Sequence, residues 1–155
     1  MPKLDLDAIP QSNATGYPPP FDADVEGRWW RRLAATAGLT KLGASHVVLK
    51  PGAFSSQRHW HAGQDELVVM VSGDAVLIED EGETPVGPGD VLAWAAGARN
   101  GHRLHNRGET ECVFIAISAG ARDADSGEYS DIDMVFNSQG YFRKDGTPYP
   151  TERLP

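Results

Sequence analysis

The stretch Gly52-Ala53-Phe54-Ser55-Ser56-Gln57-Arg58-His59-Trp60-His61-Ala62-Gly63-Gln64-Asp65-Glu66 decides how the rest of the chain is read. In a β-strand successive side chains point to opposite faces, so His59 and His61 share one face and Trp60 takes the other. Ala62-Gly63-Gln64-Asp65 reads as a tight turn, which sets Glu66 at the start of the next strand, close to His61. Two imidazoles and a carboxylate then converge on one point. His102 follows a second glycine-rich stretch, where a later strand would pass beside the first pair, and it completes a set of three nitrogens and one oxygen. Such a set, with positions left open for solvent or substrate, suits one divalent transition metal: Mn, Fe, Ni, Co or Zn. A single strand histidine is more often a surface or core residue with its hydrogen bonds satisfied. Here four of the five histidines, His59, His61, His102 and His105, fall in two clusters beside glycine-rich turns, which favours the metal reading for the group.

Working outward, the chain from Lys41 onward reads as short strands separated by Gly and Pro punctuation: Ser45 to Leu49, Ser56 to His61, Glu66 to Ser72, Ala75 to Glu79, Val91 to Ala95, His102 to Asn106 and Glu111 to Ser118. Turns at Pro51-Gly52, Ser72-Gly73-Asp74, Glu81-Gly82-Glu83, Gly87-Pro88-Gly89-Asp90 and Arg107-Gly108 give hairpin-length connections. Strands at this spacing predict a sandwich or barrel over residues 41–119. Within residues 1–40, residues 1–27, with Pro10 and Pro18-Pro19-Pro20, have too little apolar surface for a core of their own and predict an extended arm. Trp30, Leu33, Ala34 and Ala37 recur at helical spacing, so a short helix is expected over Trp29 to Ala37, ended near Gly38. Residues 120–155 are polar and loop-like, with a short strand expected at Asp131 to Val135 and the segment packing on the barrel.

Composition narrows the function classes. The 155 residues fit one domain. With 14 Lys and Arg against 22 Asp and Glu, the net charge of -8 disfavours nucleic acid as a partner. Every apolar run is broken by Asp, Glu, Arg or Gly, so no membrane partner is expected. The start Met1-Pro2-Lys3-Leu4-Asp5 lacks the apolar run of a secretory signal, and Cys112 is the single cysteine, which together predict a cytoplasmic protein without an intramolecular disulfide.

The quoted stretch, with Gly73 six residues beyond Glu66, resembles the first motif of the cupin superfamily, with one extra residue between Gly52 and His59. Gly89-Asp90 through Ala95-Ala96-Gly97 to His102-Arg103-Leu104-His105-Asn106 is similar to the second motif, with Ala95 in place of the usual proline and a longer gap before His102. The resemblance spans roughly Leu42 to Ser118. It implies an all-β, double-stranded β-helix (jelly-roll) barrel with the metal inside its mouth, carrying here an N-terminal arm and one short helix. Arg58-His59-Trp60-His61, Asn100-Gly101-His102 and the tail Asp145-Gly146-Thr147-Pro148-Tyr149 also resemble small bacterial cupins provisionally labelled sugar-phosphate isomerases. The arm and the resemblance together point to a homodimer.

Around the four ligands, His105 has the wrong parity for the site and is read as a neighbour rather than a ligand. Gln57 shares parity with His59 and His61, and Arg99 and Asn100 precede His102, so these three are the candidate substrate-binding residues. No second carboxylate stands out as a catalytic base. The expected function is a metal-dependent isomerase or lyase acting on a small oxygenated substrate such as a sugar phosphate or keto acid. An iron- or nickel-dependent dioxygenase, or a non-catalytic module that binds a small molecule, would use the same ligands.

Overall fold

Short strands separated by turns pair into three antiparallel sheets in the computed structural model, which describes residues 3–120 and 122–150. The first has the order β1-β2-β9-β4-β7, with β1 at Arg28–Arg32, β2 at Leu42–Leu49, β4 at Gln64–Ser72, β7 at Val91–Trp94 and β9 at Cys112–Gly120. The second is β6-β5-β8, from Gly82–Val86, Ala75–Glu79 and Arg103–His105. The third is β12-β11-β10-β3, from Gly140–Phe142, Met134–Asn137, Gly127–Tyr129 and His59–His61. A bridge between His59 and His102 joins β3 to the lead of β8, so the second and third sheets continue one another.

The core lies between these layers. Val47, Leu49, Met70 and Phe114 come from the five-stranded sheet and meet Leu77, Val86 and Leu104 from the opposite one. On β2 the register pairs Val47 with Phe114 and Leu49 with Cys112, so odd-numbered residues of that strand face inward. Cys112 is fully buried, and burial pushes its thiol pKa up to about 11, which leaves it a small packing group. Asn106, the asparagine of the second motif, is also fully buried and structural. Its amide donates to the carbonyls of Leu49 and Thr110 and its oxygen accepts from the Gly108 N–H, which pins the loop before β9 to the end of β2.

Several expected boundaries change. The helix expected over Trp29 to Ala37 is a strand for half its length, because Arg28–Arg32 pairs residue for residue with Leu49–Ser45 and leaves only Leu33–Thr36 helical. Two adjacent tryptophans favour a pleated surface once a partner strand is available. The arm is extended as expected, and it is held by a bridge from Ser12 to Trp30 and by burial of Ile9 and Val25. The turn expected at Glu81-Gly82-Glu83 is a tighter Asp80-Glu81 connection, with Gly82 already paired to Glu79 in β6. The C-terminal strand begins at Met134, not Asp131, and the same segment contributes two more strands, β10 and β12. No helix among the described residues is long and apolar enough to cross a membrane.

Candidate metal centre

His59 and His61 sit on one face of β3, and the Ala62-Gly63 connection returns the chain into β4, where Glu66 faces them. Donor atoms of His59, His61 and Glu66 all lie within 4.8 Å of one another. His59 Nε2 is 3.1 Å from His61 Nε2, and His61 Nε2 is 3.6 Å from Glu66 Oε1. His102 enters from just before β8, with its Nε2 2.9 Å from Glu66 Oε2. The structure therefore brings together all four residues that strand parity singled out.

The other nitrogen of each ring is already engaged. His59 Nδ1 lies 2.9 Å from the Gln57 carbonyl, His102 Nδ1 lies 3.0 Å from the Asn100 carbonyl, and His61 Nδ1 lies 2.5 Å from Asp125 Oδ2. Each of these partners is an acceptor, so each Nδ1 carries the proton and each Nε2 presents a lone pair. Three bare nitrogens and a carboxylate then face one another with no proton among them. A cation would satisfy that arrangement. Burial, with the neighbouring His61 and His102 adding to it against the pull of Glu66, drives the His59 pKa down to about 4, so a proton there is disfavoured at neutral pH. Burial would raise Glu66, but the facing His102, His59 and His61 outweigh it and bring its pKa to about 2. Three imidazole nitrogens beside an ionised carboxylate are a donor set that fits a divalent metal ion.

Residues behind the ligands fix their orientation. The Trp94 ring stacks on His102 with centroids 3.8 Å apart and planes 8° apart. Trp94 Nε1 and Asn100 Nδ2 both donate to Glu79 Oε1, which ties the Asn100 carbonyl and the stacked indole into one unit. Asp125, 5% exposed, holds His61 while accepting from the Gly63 N–H and the Gln64 amide. Arg58 donates to both oxygens of Asp131, pairs with Asp80 and reaches the Gly101 carbonyl, bracing the entries to both β3 and β8. Tyr129 and Phe136 pack against the His59 ring.

The three candidate substrate-binding residues are placed elsewhere. Gln57 is buried and donates to Asp24 Oδ2 and the Phe21 carbonyl, so its side chain anchors the arm. Residues 55–58 are bends rather than strand, and the period-two alternation that put Gln57 with the histidines does not extend to them. Arg99 is exposed, with its guanidinium 5.4 Å from the Trp60 ring centroid, and Asn100 is used up on Glu79 and the Asp80 N–H. His105 stacks on Phe54 at 4.0 Å and accepts from Arg107 Nε, away from the centre. What opens beside the ligands is a cavity of about 500 Å³, walled by His59, Glu66 and His102 together with Trp30, Trp94 and Arg28. Arg28 and Asp125 were not legible as site residues: one sits between the expected arm and the expected helix, the other in a polar segment with no motif.

Residues 45–118 match the cupin domain family. A sugar phosphate isomerase from a cupin superfamily of Silicibacter pomeroyi DSS-3 shares 40% sequence identity, covers 96% of this chain and 97% of its own, and superposes with a TM-score of 0.90. The chain belongs to the cupin superfamily. A second neighbour, from Acidithiobacillus ferrooxidans and provisionally named a sugar phosphate isomerase, is 25% identical over 74% of each chain with a TM-score of 0.68. A polyketide cyclase from Streptomyces resistomycificus, 17% identical over 81% of this cupin and 83% of its own chain, shares the fold at a TM-score of 0.63. No curated protein matches the sequence.

Proposed function

We propose that this cupin is a metal-dependent isomerase or lyase acting on a small oxygenated substrate such as a sugar phosphate or keto acid, with the metal on His59, His61, Glu66 and His102. The observation that carries the reading is the convergence of three imidazole Nε2 atoms and one carboxylate on the wall of a cavity. The two neighbours named as sugar phosphate isomerases are consistent with it. A divalent ion there would polarise a substrate carbonyl or hydroxyl and lower the pKa of a bound water.

The chain's own residues supply the rest. Trp94 and Trp30 present flat apolar walls, while Ser45, Ser118 and the Tyr17 and Tyr141 side chains offer hydrogen-bonding groups. Glu66 is the one carboxylate among the described residues lining the cavity, and its low pKa fits it to hold a cation rather than a proton. Burial raises Tyr17 to about 12 and raises Tyr141 as well, so both phenols keep their protons at neutral pH and are donors to substrate oxygens.

The test is metal analysis of protein purified without added metal, followed by turnover of a panel of aldose and ketose phosphates and keto acids under strict anaerobiosis. One bound ion per chain and oxygen-independent interconversion are expected. Turnover that requires and consumes oxygen would overturn the reading in favour of a dioxygenase, and absence of any metal would remove the centre itself. A homodimer is proposed alongside: Val71 and Val91, on neighbouring strands at one side of the five-stranded sheet, are 50% and 59% exposed. Light scattering showing a monomer at micromolar concentration would reject it.

A further inference from the structure

We propose that Arg28 forms an anion-binding subsite on the wall of the cavity, with the Tyr17 and Tyr141 hydroxyls beside it, and that the substrate is a small acid whose carboxylate or phosphate docks there. This rests on the reading of the cavity as a substrate site and names the class of substrate.

The strand register puts Arg28 where a charge is unexpected. On β1 it stands opposite Leu49, as Trp30 stands opposite Val47, and both partners belong to the core. Arg28, Trp30 and Arg32 all line the cavity, as residues on one face of a strand should. A guanidinium in such a position is normally met by a carboxylate, since an inward-facing cation is costly without a partner. The protein does this for Arg58, which has Asp80 and Asp131. Among the described residues Arg28 has no carboxylate within ion-pairing distance, although the chain carries 22 Asp and Glu. Its Nη1 donates to the Ser55 carbonyl at 2.8 Å, which fixes the head of the side chain, while its Nε is buried with no partner. The guanidinium is held, charged and underused.

The neighbours are of one kind. Tyr17 and Tyr141 also line the cavity, with ring centroids 5.6 Å apart, and both feel the charge of Arg28. Two phenol hydroxyls beside a guanidinium offer several donors and no carboxylate, which suits an oxyanion. Glu66, the lining carboxylate, is engaged with His61 and His102. A cavity of about 500 Å³ accommodates a small acid that meets the metal ligands with one group and Arg28 with its anionic group.

The experiment titrates inorganic phosphate and, separately, malonate into the full-length protein by calorimetry, comparing wild type, Arg28→Gln, Arg28→Lys and Glu66→Gln. Wild type is expected to bind at least one anion, and Arg28→Gln to weaken it by about tenfold or more while keeping its metal content. Arg28→Lys should fall between them, because it keeps the charge and loses the planar fork. Glu66→Gln should still bind the anion, so a failed metal centre and a failed anion subsite give different results. Tighter phosphate binding assigns a phosphate ester and tighter malonate binding a carboxylic acid; either supports the subsite. In case Arg28→Gln fails to fold, phosphate protection of Arg28 from phenylglyoxal, read by mass spectrometry on wild type, measures the same contact. Neither anion binding to wild type, unchanged binding in a folded Arg28→Gln, or modification of Arg28 at the same rate with and without phosphate would each overturn the proposal.

Discussion

His61 is oriented by a residue 64 positions away in sequence, and the contact between its Nδ1 and the Asp125 carboxylate is what turns its Nε2 toward His59 and Glu66. Asp125→Asn keeps the size but weakens the acceptor and frees the ring to change tautomer. Metal affinity is expected to fall by about 10- to 100-fold with the fold intact, measured by competition with a chromogenic chelator. His59→Ala and Glu66→Ala are expected to abolish stoichiometric metal, whereas His105→Ala, stacked on Phe54 outside the centre, should retain it; elemental analysis of the three variants decides this. Unchanged metal in both His59→Ala and Glu66→Ala would sink the ligand assignment. At this scale the pair His59 and His61 and the carboxylate Glu66 were readable, because parity in a strand and a short return turn need only local sequence. Gln57 lies outside the strand, which begins at His59 rather than at Ser56, so parity does not place its side chain with the histidines.

Glycines and a buried asparagine control how the elements meet. Gly73 has φ +68, and a Cβ there would lie 2.3 Å from the Glu111 carbonyl oxygen and 2.9 Å from Cys112 Cα, both backbone atoms on the lead into β9. Gly73→Ala thus combines left-handed strain with overpacking and is expected to destabilise the protein by about 2–4 kcal/mol, read as a lowered thermal midpoint. Asn106→Ala would leave the Leu49 and Thr110 carbonyls and the Gly108 N–H without their partner, at an expected loss of about 2–4 kcal/mol in urea unfolding. Both residues belong to motif positions that look functional in sequence, yet their roles are the turn and the loop that bring β9 into the sheet. The Trp29 to Ala37 helix failed at this same scale: its apolar spacing was real, but pairing of Arg28–Arg32 with β2 satisfies the backbone and turns the alternate residues Arg28, Trp30 and Arg32 toward the cavity.

Across the whole molecule the C-terminal segment closes the site. Besides its bridge to His102, β3 pairs with β10, so the strand that carries two histidines depends on residues far beyond the motifs. A chain ending at Gly120 would lack β10 and Asp125, and it is expected to lose the metal and melt at a clearly lower temperature, measured by elemental analysis and circular dichroism. The segment's Asp131 also sets a pH response. Its hydrogen bond from Arg58 holds the carboxyl below its ordinary value, so its stabilising contribution is present above about pH 4 and is lost as pH falls through the depressed value. Asp131→Asn should flatten the fall in thermal midpoint between about pH 5 and pH 3; because Asp131 is 45% exposed, the difference at pH 7 should stay under about 1 kcal/mol. The all-β class, most barrel strands and the convergence of His59, His61 and Glu66 were set by local sequence, since strand alternation, turn residues and short return connections are local properties. Asp125 behind His61, Trp94 over His102, and Arg28 facing the cavity with no carboxylate partner among the described residues were set by the packing of the folded chain. Those depend on which distant strands lie side by side, and no local periodicity encodes that choice.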